Sequence, residues 1–295
     1  MKVRIGVGMG VLDGDPSRLM EVVDDIDDLG FDSIWLPEVL TAPTLDPLTA
    51  LAYAAARNPR LKLGTTMLLP GRNVVQVAKQ LATLDQLSQG RLLVTFVPGL
   101  AQPPESRAIG VSAKEKGPWM EEALPVLRRL WAGESVDHHG SIGEFEGVTL
   151  SPLPAQEPLE FWTGGMVPGA LRRCGQFADG WLPSACTPAE AAAGRVVIDE
   201  AAAAVGRSIS PEHFGVSLAY APGPLDPSMI AALGRARKGT DPTTVVPAGL
   251  DALRRFLESF LEVGFSKFVV RPLARPESWR HELEALAAAV GDLQT

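Results

Sequence analysis

Three short stretches of this chain have residue types and spacing that chemistry could use. Thr163-Gly164-Gly165-Met166-Val167-Pro168 reads as a strand end, a glycine pair and a helix start. Glycines let a ligand come close to the backbone, and the free amides and dipole of a helix N-terminus attract an anion such as phosphate. A tight turn would carry the same residues. Gly64-Thr65-Thr66-Met67-Leu68-Leu69-Pro70 ends an apolar strand in small hydroxyl residues, where a flat ring could lie against the backbone. The same run also fits a β-branched core strand. Glu38, between Pro37 and Val39, is an acid placed directly after an apolar strand. It could handle a proton or orient a ring, or it could be a rim carboxylate or a helix cap.

Other chemistries lack their residues. There is no serine nucleophile elbow, no phosphate-binding loop of the Walker type and no carboxylate pair at convincing spacing. His138 and His139, beside Asp137, show no metal-ligand spacing and read as a solvated hairpin, so no metal is expected. Cys174 and Cys186 have no CxxC spacing and read as free thiols. An anion cradle with few titratable groups suits a bound redox cofactor, which brings its own chemistry.

The elements that must position these residues alternate along the chain. Strands are expected over 3–7, 33–37, 61–69, 92–97, 159–163, 180–183, 214–219 and 267–270. Helices are expected over 17–29, 47–57, 74–88, 121–132, 168–177, 188–205, 227–237, 250–263 and 277–290. Strands separated by helices build βαβ units and a parallel sheet. About eight such units close a (β/α)8 TIM barrel of about 250 residues, so residues 1–295 are expected to form one domain. A doubly wound sheet would place a third glycine after Gly6-Val7-Gly8-Met9-Gly10, and none stands at that spacing. A small hairpin excursion is expected over 135–150. Long loops over 99–117 and 221–247 would shape the substrate pocket, the second as a mobile excursion. A barrel of this kind puts its site at the carboxyl ends of the strands. Those ends are Gly8-Met9-Gly10, Pro37-Glu38, Thr66-Met67-Leu68, Val97-Pro98-Gly99, Gly164-Gly165, Pro183-Ser184, Tyr220 and Arg271.

Composition narrows the partners. The formal charge is −8 and no Lys/Arg cluster offsets it, so nucleic acid is not an expected partner. No uncharged run approaches the roughly 20 apolar residues of a bilayer span, so no membrane association is expected. The opening MKVRIGVGMGV reads as a strand rather than a signal peptide, which points to the cytoplasm. The helix at 47–57 is apolar nearly all round, with Ala50, Leu51, Ala52, Ala54, Ala55 and Ala56. A two-fold homodimer through its outer face is expected.

Five stretches resemble the luciferase-like family of flavin- and deazaflavin-dependent oxidoreductases. They are GFDSIWLPE, DPLTALAYAAARNPRLKLGT, AKQLATLDQLSQGRLL, WMEEALPVLRRLWAGESVDHHGSIGEFEGVTLSPLP and FWTGGMVPGALRRCGQFADGWLPS. The resemblance implies a TIM barrel that holds coenzyme F420 or flavin mononucleotide (FMN) at its carboxyl end and dimerises through its second and third helices. It also implies roles for particular residues. The amides of Gly164 and Gly165 would meet the cofactor phosphate, with Ser184 a polar residue nearby. Thr66 and Met67, preceded by Thr65, would lie behind the ring and be joined by a non-prolyl cis peptide. Gly99 would be the small residue that ends strand four. Glu38 would be the acid of an acid–His pair, although Val39 stands where many members carry His. LPEVLTAPTLDP and LLPGRN look closest to the F420-type members. The expectation is therefore an F420-dependent oxidoreductase that moves a hydride between the deazaflavin and a small organic substrate. The alternatives are an FMN-dependent monooxygenase that uses reduced flavin and oxygen, and a flavin-binding protein without turnover.

Overall fold

A computed structural model describes residues 1–10, 14–99, 104–236 and 241–295; parts of the two loops expected over 99–117 and 221–247 lie outside these. The chain runs β1 (Arg4–Gly8), α1 (Pro16–Asp25), β2 (Ser33–Pro37), α2 (Pro47–Arg57), β3 (Lys62–Leu68), α3 (Val74–Ser88) and β4 (Leu92–Val97). It continues with α4 (Glu105–Ala108), α5 (Lys116–Trp131), the hairpin β5 (Val136–Gly140) and β6 (Gly143–Val148), β7 (Phe161–Thr163), α6 (Pro168–Phe177) and β8 (Gly180–Trp181). Then come α7 (Pro188–Ala203), β9 (Gly215–Tyr220), α8 (Pro227–Ala236), α9 (Leu250–Glu262), β10 (Lys267–Pro272) and α10 (Trp279–Val290).

The helices start where short polar side chains can accept their first free amides. Asp15, Asp46, Asn73 and Ser278 cap α1, α2, α3 and α10, and Thr187 with Glu190 forms a capping box on α7. Helix α5 begins five residues earlier than the sequence pattern indicates. Gly117 and Pro118 read as breakers, yet they occupy the first turn, where proline has no amide bond to lose.

Eight strands pair in parallel in the order β8-β7-β4-β3-β2-β1-β10-β9. The bridges Trp181–Phe214 and Ser184–Ser217 join the two ends, and Ser217 N donates to Pro183 O at 2.8 Å. The result is the expected (β/α)8 barrel, with β5 and β6 as a separate antiparallel excursion. Most of the apolar core lies between the strands and the ring of helices. Inside the barrel sit Trp35, Leu182 and Val269, with Leu93 and Trp162 packed on them. Glycines make room for the two indoles. A Cβ at Gly64 would stand 2.2 Å from the Trp35 ring, and one at Gly180 would stand 2.4 Å from the Trp162 ring. These layers fix which strand positions face inward: Gly64 on β3 and Val269 on β10, and by alternation every second residue along each strand.

Candidate active site

The end of β7 and the start of α6 build the anion cradle. Gly164 continues the ladder, its amide donating to Phe96 O at 3.2 Å, so that amide is not available to a ligand. This differs from the role the sequence resemblance implies for it. What Gly164 provides is space: a Cβ there would lie 3.0 Å from Val97 Cγ1 and 3.2 Å from Leu182 O. Gly165 turns the chain at φ 101°, a conformation that favours glycine, and its carbonyl accepts from Trp181 Nε1 at 3.1 Å. Helix α6 then begins at Val167 and Pro168 with no side-chain cap, so its first turn has none of the polar side chains that close α1, α2, α3, α7 and α10. Ser184 lies beyond β8, exposed, beside the bridge that closes the barrel.

Strands β3 and β4 form the adjoining wall. Thr66 is half-buried and shares the inward parity of Gly64. Thr65 and Met67 are fully buried on the other side. Thr65 Oγ1 donates to Leu36 O at 3.1 Å, and Met67 packs in the core beneath the helices. Their side chains therefore do not meet the mouth. The peptide between Thr66 and Met67 is trans, because the described cis peptides are Ser151–Pro152 and Glu157–Pro158. This corrects the cis geometry the resemblance implies. Physically, β3 stays in regular register with β4 through Thr66–Thr95, Met67–Phe96 and Leu68–Val97. Thr95 faces inward with its Cγ2 4.0 Å from a Cβ at Gly164. Its hydroxyl is buried and has no partner among the described residues. Gly99 adopts φ 77°, and a Cβ there would meet Leu68 Cδ2 and Ile109 Cδ1 at 2.9 Å, so the fold itself requires this glycine.

Glu38 is 7% exposed and already occupied. Its Oε2 accepts from Leu68 N at 2.7 Å, and its Oε1 pairs with the Arg72 guanidinium. Burial pushes this carboxyl above its usual range, against the pull of Arg72 and of the Leu68 amide. The arrangement ties the end of β3 to the loop before α3. Sequence reasoning passed over Arg72, because nothing local links it to an acid 34 positions away. Tyr220 faces the helices rather than the mouth; it is 2% exposed and its hydroxyl donates to Glu282 Oε1 at 2.5 Å. Arg271, by contrast, shares the inward parity of Val269.

Outside the mouth the candidates are structural. His138 Nε2 bonds Glu122 Oε1 at 2.7 Å in the hairpin. Among the described residues no three His, Cys, Asp or Glu converge as a metal site, and no helix is long and apolar enough to cross a membrane. Cys174 and Cys186 are buried and not joined in a disulfide, and burial pushes the Cys174 thiol up to about 12. A cavity of about 160 Å³ at the amino end of the barrel is lined by Trp35, Trp162 and His213, on the face opposite the cradle.

The parallel sheet, closed end to end and ringed by helices, defines the chain as a (β/α)8 barrel with its glycine turn at the carboxyl mouth. Within that class, the chain belongs to the luciferase-like monooxygenase family, whose profile matches residues 2–254. It is 31% identical over 173 residues to limonene 1,2-monooxygenase of Rhodococcus erythropolis, covering 57% of this chain and 44% of that one. It is 26% identical over 180 residues to F420-dependent glucose-6-phosphate dehydrogenase of Kineococcus radiotolerans, covering 57% and 52%. The chain thus spans about half the length of these curated relatives. A solved F420-dependent secondary alcohol dehydrogenase, in complex with an F420–acetone adduct, superposes over 100% of both chains with a TM-score of 0.85 at 18% identity, a likeness of fold.

Proposed function

We propose that the protein binds coenzyme F420 across the barrel mouth and is an oxidoreductase acting on a small organic substrate. One observation carries the reading. The crowded Gly164, the turned Gly165 and the uncapped α6 lie beside a buried Thr95 hydroxyl that has no partner among the described residues. A phosphate-bearing polar ring would satisfy both halves of that arrangement. The bound deazaflavin would supply the hydride chemistry. In this reading Gly165 and the first turn of α6 hold the phosphate, with Ser184 at the rim. Gly164 permits close approach, Thr95 and Thr66 border the ring, and Gly99 shapes the wall. Thr65 and Met67 support that wall from behind. Glu38 acts as a positioning residue, because both of its carboxylate oxygens are engaged. With Val39 next to it and no histidine there, the proton of the reaction is left to solvent or substrate.

The FMN-dependent monooxygenase is the second reading, favoured by the match to limonene 1,2-monooxygenase. Anaerobic mixing of reduced F420 with a panel of aldehydes and ketones, set against oxygen uptake with reduced FMN, separates the two. Deazaflavin oxidation without oxygen supports the first reading, and FMN-dependent oxygen uptake alone overturns it. A cytoplasmic location and a homodimer through α2 belong to the same proposal. Ala50, Ala54 and Ala55 are buried within the chain itself, so the apolar face of α2 does not by itself call for a partner. What remains for an interface is Tyr53, 45% exposed, beside a groove that includes Met20, Leu45 and Thr49.

A further inference from the structure

Among the described residues of the barrel, the Arg271 guanidinium is not explained by its own packing. Arg271 stands at the carboxyl end of β10, between Gly8 of β1 and Ala219 of β9. A Cβ at Gly8 would lie 3.2 Å from Arg271 Cβ and 3.7 Å from its Cδ, so the side chain runs alongside that glycine. Small residues on both flanks leave it room. Other large cations of the barrel are held. Arg72 meets Glu38, Arg128 meets Asp179, Arg173 meets Glu121, and Arg91 donates to the carbonyls of Ser88, Asn58, Leu61 and Ala55. Arg271 is half-buried and, among the described residues, has neither an ion pair nor a hydrogen bond.

A guanidinium cannot escape this by losing its proton. An uncompensated charge in a low-dielectric throat is costly, and a fold keeps one only where a counter-ion arrives. Burial alone holds this group below its ordinary pKa, with no neighbouring charge acting on it. The phosphate cradle is not the source of that counter-ion. It lies on β7, three strands round the wall from β10, among Val97, Leu182 and Thr95.

We propose that Arg271 anchors an oxyanion of the substrate, so that this enzyme takes small organic molecules bearing a carboxylate. The planar fork of the guanidinium matches a carboxylate in two parallel hydrogen bonds. This deepens the F420 reading and rests on it for the chemistry, though not for the anion site. The other acceptor this guanidinium could meet is a ring carbonyl of the cofactor, and the test separates the two.

The test uses the F420-loaded protein, with Arg271→Gln and Arg271→Lys as variants. The probes are acetate, pyruvate and benzoate, each against its amide, followed by cofactor fluorescence and by melting temperature. The wild type should bind at least one acid tenfold or more tighter than its amide. Arg271→Gln should abolish that preference and Arg271→Lys retain part of it, while affinity for F420 changes less than threefold. Three binding results would overturn the proposal. They are no acid preferred by the wild type, a preference that survives Arg271→Gln, and a tenfold loss of F420 affinity in Arg271→Gln with the acid preference intact. The last would place the acceptor of Arg271 on the cofactor. If the wild type binds no F420, the same acid and amide pairs are read by melting temperature on the protein alone, so the anion site is judged apart from the cofactor. A clear fall in the ligand-free melting temperature of Arg271→Gln would mark a structural arginine and also overturn it.

Discussion

Gly164→Val perturbs the cradle where its geometry is tightest. The first added atom, Cβ, would lie 3.0 Å from Val97 Cγ1 and 3.2 Å from Leu182 O, before either methyl is placed. Val97 can shift its side chain. The Leu182 carbonyl cannot retreat as easily, because Leu182 N is fixed to Thr163 O at 3.0 Å and the next residues close the barrel. Overpacking of this kind costs about 1–3 kcal/mol. At roughly 2–4 °C per kcal/mol for a domain of this size, the melting temperature should fall by about 2–12 °C. The two methyls project into the mouth, where the ligand must approach. We therefore expect F420 affinity to drop at least tenfold, or about 1.4 kcal/mol. Fluorescence titration and thermal melting on one preparation read both effects. An unchanged dissociation constant in a variant whose melting temperature has fallen would show that the anion binds elsewhere. An unchanged melting temperature would show that the wall at Val97 and Leu182 is looser than the distances require.

Glu38→Gln should keep turnover per folded molecule within a few-fold of wild type, as befits a positioning residue; a loss of 10²–10⁴, typical of general acid–base groups, would restore a catalytic role. Its pH dependence has a definite sign. The folded-state pKa of Glu38 is raised, so the stability it contributes is present below its unfolded pKa and is lost as pH rises through the folded one. The melting temperature of Glu38→Gln relative to wild type should therefore climb as pH rises past the ordinary glutamate range of about 4.3, and a difference that falls instead contradicts the burial argument. Asp85→Ala leaves Gln156 N and Nε2 without the carboxylate they reach at 2.8 and 2.7 Å. It should cost about 2–4 kcal/mol by denaturant unfolding with little change in cofactor affinity. Light scattering should give a dimer mass that Tyr53→Glu converts to a monomer; a monomeric wild type across a wide concentration range removes the α2 interface.

How much of this was legible in the sequence depends on whether a residue's partner is local. The barrel was, because each strand and its helix carry their own signals: Asp46 and Pro47 start α2, Asn73 starts α3, and the apolar runs between them have strand length. DQLSQGR lies within one of the stretches that carry the family signature, and the structure gives its physical content. Asp85 grips Gln156, Gln89 takes the left-handed conformation, and Arg91 clamps four carbonyls, so the signature holds the fold together rather than doing chemistry. The inward face of β3 was not legible. A strand buried on both sides shows no alternation, so Thr65 and Met67 look as eligible for the mouth as Thr66. The Glu38–Arg72 pair and the free Arg271 were not legible either, because they depend on which distant residues the closed sheet brings beside each strand end.

Equilibrium titration of the purified protein with F420 and, separately, with FMN tests the central claim most directly. The account predicts F420 binding with a dissociation constant near 1 μM or tighter, about −8 kcal/mol, and weaker binding of FMN. Tight FMN binding with no detectable F420 binding would contradict it.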